Sequence, residues 1–214
     1  MKKIFKKVYK SAFTLAEVLI TLGIIGVVAA LTMPTLIQNH QRQVYVTGLK
    51  KAYSNISNAF SKMALDEDVT DWASTNCGNE FLAKLNNAEV DAGVCFESIA
   101  KQFKVVSKGL PNGYNMSGAL ERSAAFISTD GMIFLFDCGG AWPNVFIDVN
   151  GLKGPNQAGR DMFGFYIDVT KNKIIPFGIV TNTGDESEDW KDCSASNLSL
   201  NCTAKVIMEG KMDY

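Results

Sequence analysis

The chain has 214 residues, 47% of them apolar, and its formal net charge of −1 conceals a strong asymmetry. Lys2, Lys3, Lys6, Lys7 and Lys10 fall in the first ten residues with no acid among them, so the remainder carries 16 bases against 22 acids. An acidic body excludes nucleic acid as an expected partner, because phosphate binding needs basic clusters, and the length provides for one globular core rather than two.

The first twelve residues read as a basic leader. From Phe13 to Ile37 the only charge is Glu17, and this run of Leu, Ile, Val and Ala exceeds the roughly 20 residues that span a bilayer. Five lysines ahead of it hold the N-terminus in the cytoplasm and send everything after it outward. A secretory signal has a shorter apolar region ending at a small-residue cleavage site, whereas this one flows directly into a helical pattern.

That helix is expected to continue to about residue 65. Leu49, Tyr53, Ile56, Phe60 and Met63 recur at spacings of four and three, a one-sided stripe that packs on the chain's own body. Between the membrane half (13–37) and the amphipathic half (38–65), the polar run 38–43 marks where the helix leaves lipid, and His40 within it reads as an interfacial residue. Residues 66–123 form a mixed linker region with helices around 79–85 and 96–106, separated by Gly93 and followed by Pro111, Asn112 and Gly113.

Residues 124–214 then change period. Strands are expected at 124–128, 132–137, 145–149, 163–169 and 174–180, with hairpin turns at Asp130-Gly131 and Lys171-Asn172. The tail from Thr181 reads as a loop over the sheet, with one apolar run at Val206–Met208. The fold class is therefore α+β, a long N-terminal helix packed on a small antiparallel sheet.

Cys77, Cys95, Cys138, Cys193 and Cys202 all fall in the exported part, where disulfides persist. None has the CxxC spacing of a metal or redox motif. Five cysteines allow two internal bridges: Cys193 with Cys202 is the most local pairing, Cys77 with Cys95 the next, and Cys138 is a candidate buried thiol. The sequence leaves the connectivity open. Catalysis has no support, because the lone His40 sits at the membrane edge and no HExxH, GxSxG or P-loop occurs, so the chain is not read as an enzyme.

The run Ser11-Ala12-Phe13-Thr14-Leu15-Ala16-Glu17-Val18-Leu19-Ile20 resembles the processing site of the type IV pilin and type II secretion pseudopilin family. Members have a short basic leader ending in a small residue, then Phe, Thr, Leu, any residue, Glu, and an apolar helix. The chain matches at Phe13, Thr14, Leu15 and Glu17, places Gly26 and Pro34 where these helices weaken, and departs in having Ala12 where Gly is usual. The resemblance implies cleavage between Ala12 and Phe13 by a membrane aspartyl prepilin peptidase, and N-methylation of Phe13. It further implies retention of the apolar helix and assembly into a type IV pilus-like or type II secretion pseudopilus filament. The partners implied are the peptidase/N-methyltransferase, other copies or related pilins, and an inner-membrane assembly platform. The place implied is the bacterial inner membrane, single-pass, and then a filament in the periplasm or at the cell surface. No cofactor is required.

An acid at the centre of a membrane helix costs about 2.5 to 3.5 kcal/mol, and Glu17, one turn from Phe13, has a reason to persist if the amine of a neighbouring Phe13 neutralises it. Pro34 lacks an amide proton, so the stretch from Gly26 to Pro34 is expected to kink or loosen. The loop 148–165 is similar to one found in pseudopilin-like proteins. Its Asp148, Asn150 and Asp161 offer the hard oxygens that calcium takes; the spacing is not that of an EF-hand, and the same side chains also close turns on their own backbone. The competing reading of the whole chain is a non-polymerising, single-pass, membrane-anchored binding protein. The two readings differ at Glu17.

Overall fold

The structure is a computed structural model that describes residues 14–85, 92–110, 114, 124–137, 143–181 and 183–214. Helix α1 runs from Leu15 to Asp66 with Pro34 inside it. The chain divides into two compact units, one ending at Gln41 and the other Arg42–Tyr214.

In the first unit α1 is apolar on every side, and its Leu15, Leu19, Leu22, Ile25, Leu31 and Leu36 are all exposed. No residue of this segment's most apolar stretch is buried by the rest of the chain. A helix that is hydrophobic all round belongs in a large core or a membrane.

In the second unit the same helix becomes one-sided. Tyr45, Leu49, Ala52, Ile56, Ala59 and Met63 are buried at alternating spacings of four and three, the period that keeps one face of a helix on a partner. Tyr53 lies at the margin of this stripe, its ring 5.7 Å from that of Phe165. Gly48 lets the helix come close, since a Cβ there would stand 3.1 Å from Cβ of Val149.

The partner is a six-stranded antiparallel sheet in sequential order: β1 (Val105–Lys108), β2 (Ala124–Ser128), β3 (Ile133–Asp137), β4 (Asn144–Asp148), β5 (Met162–Asp168) and β6 (Lys173–Pro176). Register stacks large apolar side chains across the helix-facing side. Phe126 opposes Phe134, Phe134 opposes Ile147, and Ile147 opposes Phe163. Such directly opposed pairs are the unit of sheet stabilisation, and all four residues are fully buried in one core with α1. The Asp130-Gly131 turn joins β2 to β3 with Gly131 in the left-handed region, as an Asp-Gly hairpin requires.

Residues 66–110 are not a loose linker. Helix α2 (Asn76–Leu85) and helix α3 (Ala92–Lys101) carry Phe81, Phe96 and Ile99 into the same core, together with Trp72, and a Cys77–Cys95 disulfide joins the two helices. Gly93 lies inside α3 rather than between helices. The helix expected over 96–106 stops at Lys101, because Val105, β-branched and stiff at χ1, pairs with Ser128 of β2 and opens strand β1. The expected strand 174–180 ends at Pro176, which lacks the amide needed to extend a ladder. The tail is also more ordered than a loop. A 3-10 turn at Asp189–Asp192 leads through the Cys193–Cys202 disulfide into helix α4 (Cys202–Glu209), capped by Gly210 in the left-handed region.

Candidate functional site

Two places in the chain carry the sequence-derived site residues. The first is the start of α1. Ala12 and Phe13 lie outside the described residues, and Thr14 and Glu17 open the helix. The Thr14 amide donates to Glu17 Oε2 at 2.8 Å, the Thr14 hydroxyl donates to the same oxygen at 2.9 Å, and the Glu17 amide donates to Thr14 Oγ1 at 3.2 Å. This is a capping box, in which N-cap Thr and N3 Glu satisfy each other's otherwise orphaned amides. Thr14 thus sets where the Glu17 carboxylate sits. The signal for it, Thr-x-x-Glu, is present in the sequence but coincides with the family motif, which assigns Glu17 a different use.

Gly26 and Pro34 follow on the same helix, about 13 and 25 Å along its axis from Glu17 at 1.5 Å per residue. They do not form a cluster with it. Gly26 has open space where a Cβ would be. The helix continues through Pro34, although Pro34 supplies no amide and so removes one rung of the ladder. Thr32 meanwhile turns its hydroxyl back to the Val28 carbonyl at 2.9 Å, an i−4 bond of the kind that bends helices. His40 is exposed on the same helix.

The second place is the loop between β4 and β5, which brings Asp148, Asn150 and Asp161 together. Asp148 and Asp161 are fully buried. Asp148 Oδ1 accepts the amides of Asn150 at 3.1 Å and Gly151 at 2.8 Å, and Oδ2 accepts the Tyr114 hydroxyl. Asp161 accepts the amides of Asn156 at 2.9 Å and Gln157 at 2.6 Å. The Asn150 Nδ2 donates to the Gly154 carbonyl at 3.1 Å and to the Tyr45 hydroxyl at 3.4 Å, which ties the loop to α1.

Burial pushes the Asp148 carboxyl up to about 6, aided by the nearby charge of Asp161 and opposed by the Tyr114 hydroxyl and the loop amides. Burial and the Asp148 carboxylate hold the Tyr114 hydroxyl well above its ordinary range. Every carboxylate oxygen of the pair faces a hydrogen-bond donor, and Asn150 turns its nitrogen rather than its oxygen to its partners. Among the described residues no group of three His, Cys, Asp or Glu could hold a metal ion. Held this way the two carboxylates close turns, as short acidic side chains do, and Asn150 Oδ1 is buried without a hydrogen-bond partner.

The structure pairs the cysteines as Cys77–Cys95 and Cys193–Cys202. Cys138 lies outside the described residues, as do Pro111, Asn112 and Gly113.

Fold and site together define a class: an α+β protein whose N-terminal helix carries one stretch long and apolar enough to cross a membrane. Residues 35–204 match a family of unknown function, DUF6613, and the chain belongs to that family. No curated protein and no solved structure matches the chain.

Proposed function

We propose that the chain is a prepilin-like filament subunit of a bacterial inner membrane. A prepilin peptidase removes the leader between Ala12 and Phe13 and methylates the new amine. The retained helix then holds the subunit in the membrane, body outward, until an assembly platform packs it with other copies into a type IV pilus-like or type II secretion pseudopilus filament. The observation that carries this reading is the bare apolar half of α1, from Leu15 to Ile37, headed by the single acid Glu17. Such a surface is covered by lipid before assembly and by like helices after it.

Within a bundle of such helices, a protonated amine on Phe13 and the Glu17 carboxylate of an adjacent subunit neutralise each other where an unpaired charge is costly. The capping box supports a second reading, a non-polymerising anchored binding protein, because Glu17 already has a role within one chain. Glu17→Gln separates them, since glutamine keeps the box and loses the charge, whereas Glu17→Ala loses both. Both variants are expected to insert normally, judged by immunoblot of membranes, and both are expected to lose filaments. Filaments from Glu17→Gln but not from Glu17→Ala would reduce Glu17 to a cap and overturn the charge pairing, whereas an unmodified chain that forms no filaments would favour the anchor.

A further inference from the structure

A cleft of about 320 Å³ lies in the second unit, between α1, the segment leading into β1 and the β2–β3 turn. Its charged lining is Lys51, Lys62, Lys104 and Asp130. The one acid is already engaged, with Lys51 Nζ at 2.7 Å and the Ser128 hydroxyl also on its carboxylate. Lys62 and Lys104 are exposed and have no ion-pair partner among the described residues. The amide side chains of Asn55 and Asn58 stand beside them. In an acidic body, this is a concave place with two uncompensated cations and hydrogen-bonding groups around them.

The complementary surface is on the same molecule. Asp185, Glu186, Glu188, Asp189 and Asp192 are all exposed within eight residues, against the single base Lys191, which is paired with Glu188 at 2.5 Å. The two surfaces are held apart. The cleft adjoins β1 and the β2–β3 turn, whereas the acidic segment follows β6 and is tied there, the Ser187 amide donating to the Ile179 carbonyl at 2.7 Å. Sequential strand order puts β1 and β6 on opposite edges, roughly 24 Å apart at about 4.8 Å per strand. One chain cannot bring them together. Two copies related head to tail can, and such a heterologous contact propagates into an open filament where its rotation does not close.

We infer that the cleft receives carboxylates from the Asp185–Asp192 segment of a second copy, Lys62 and Lys104 taking the charge and Asn55 and Asn58 orienting it. The inference rests on the filament reading for the copies to meet at high local concentration in the membrane.

Charge reversal of the full chain in membranes tests it, read by zero-length carbodiimide cross-linking with peptide mapping. The unmodified chain should yield a dimer joining Lys62 or Lys104 to an acid of 185–192. Lys62→Glu with Lys104→Glu, or Glu186→Lys with Asp189→Lys, should each lower that dimer and the filament count roughly tenfold through like-charge contacts. Co-expressing the two doubly substituted chains should restore filaments, because alternating copies then place opposite charges at every contact. Melting of each variant, which should match that of the unmodified chain, separates this effect from misfolding. Undiminished filaments from either variant, no recovery on co-expression, or a dimer mapped only to other residues would overturn the contact while leaving the filament reading intact. Failure of the filament reading itself is read separately, as an unmodified chain that keeps its leader.

Discussion

The two halves of α1 contain similar apolar residues and do opposite things with them. Before Gln41, Leu15 is 81% exposed and Leu31 74%; beyond it, Leu49 and Ile56 are at 0%. The difference lies in periodicity rather than composition. In the first half nearly every position is apolar, so no face is distinguished and no single partner can cover it. In the second half, polar residues interrupt the pattern at the helical period and leave one stripe for the sheet. Composition thus indicates which solvent a helix meets, and spacing indicates whether it meets a protein core.

The same substitution in each half gives the largest contrast. Ile56→Ala opens a hole in a packed core and is expected to cost about 2–5 kcal/mol of body stability. Ile24→Ala, at a position 61% exposed, should leave the melting of the body unchanged. Calorimetry of the detergent-extracted chain decides, and equal losses from both would break the comparison.

Much of this was legible in the sequence, for reasons that individual residues make plain. Phe60 and Met63 declare themselves by spacing, and Asp130-Gly131 declares a hairpin because only a few residues tolerate its backbone. The strands Ala124–Ser128 and Ile133–Asp137 follow from the short β-rich apolar runs on either side of that turn. The region 66–110 was harder, because Trp72, Phe81 and Ile99 are too far apart to form a period and acquire meaning only when the sheet stands opposite them. Helix α4 escaped notice for a related reason. It is eight residues long, too short to display periodicity, and it is fixed by tertiary bonds: Thr203 Oγ1 accepts the Gly164 amide at 3.0 Å and donates to the Leu200 carbonyl at 2.6 Å. At the helix start the capping box is masked in the sequence because the same residues spell the processing motif.

Both disulfides lie in the body, so reduction should affect only that side of the comparison. With loops of 18 and 9 residues, chain entropy gives about 3 kcal/mol for Cys77–Cys95 and about 2.5 for Cys193–Cys202. Replacing each pair by alanines should lower the denaturation midpoint in that order while membrane retention stays complete. Loss of membrane retention on reduction would mean that the two halves are not independent.

A smaller effect is expected at Asp148. Its carboxyl is raised to about 6, so between about pH 4 and 6 the native state keeps a proton that the unfolded chain has lost. By linkage, stability falls as pH rises through that window and is level above it, a change on the order of 1–3 kcal/mol. Asp148→Asn should flatten this part of the profile, measured by urea unfolding in the presence of chelator. A wild-type profile that rises with pH across the window would contradict the assignment. The smallest effect is expected from calcium, since donors face every carboxylate oxygen of the loop. Neither chelator nor added calcium should move the melting temperature, and a clear rise with calcium would show that the loop rearranges to bind it.

The central claim concerns the uncovered half of the helix and the enzyme that acts on its leader. The most direct measurement is the mass of the N-terminal peptide of the chain extracted from membranes of cells with an active prepilin peptidase. The filament-subunit account predicts a chain that begins at N-methylated Phe13. A chain that retains Met1 to Ala12 and carries no methyl group at Phe13 would contradict it.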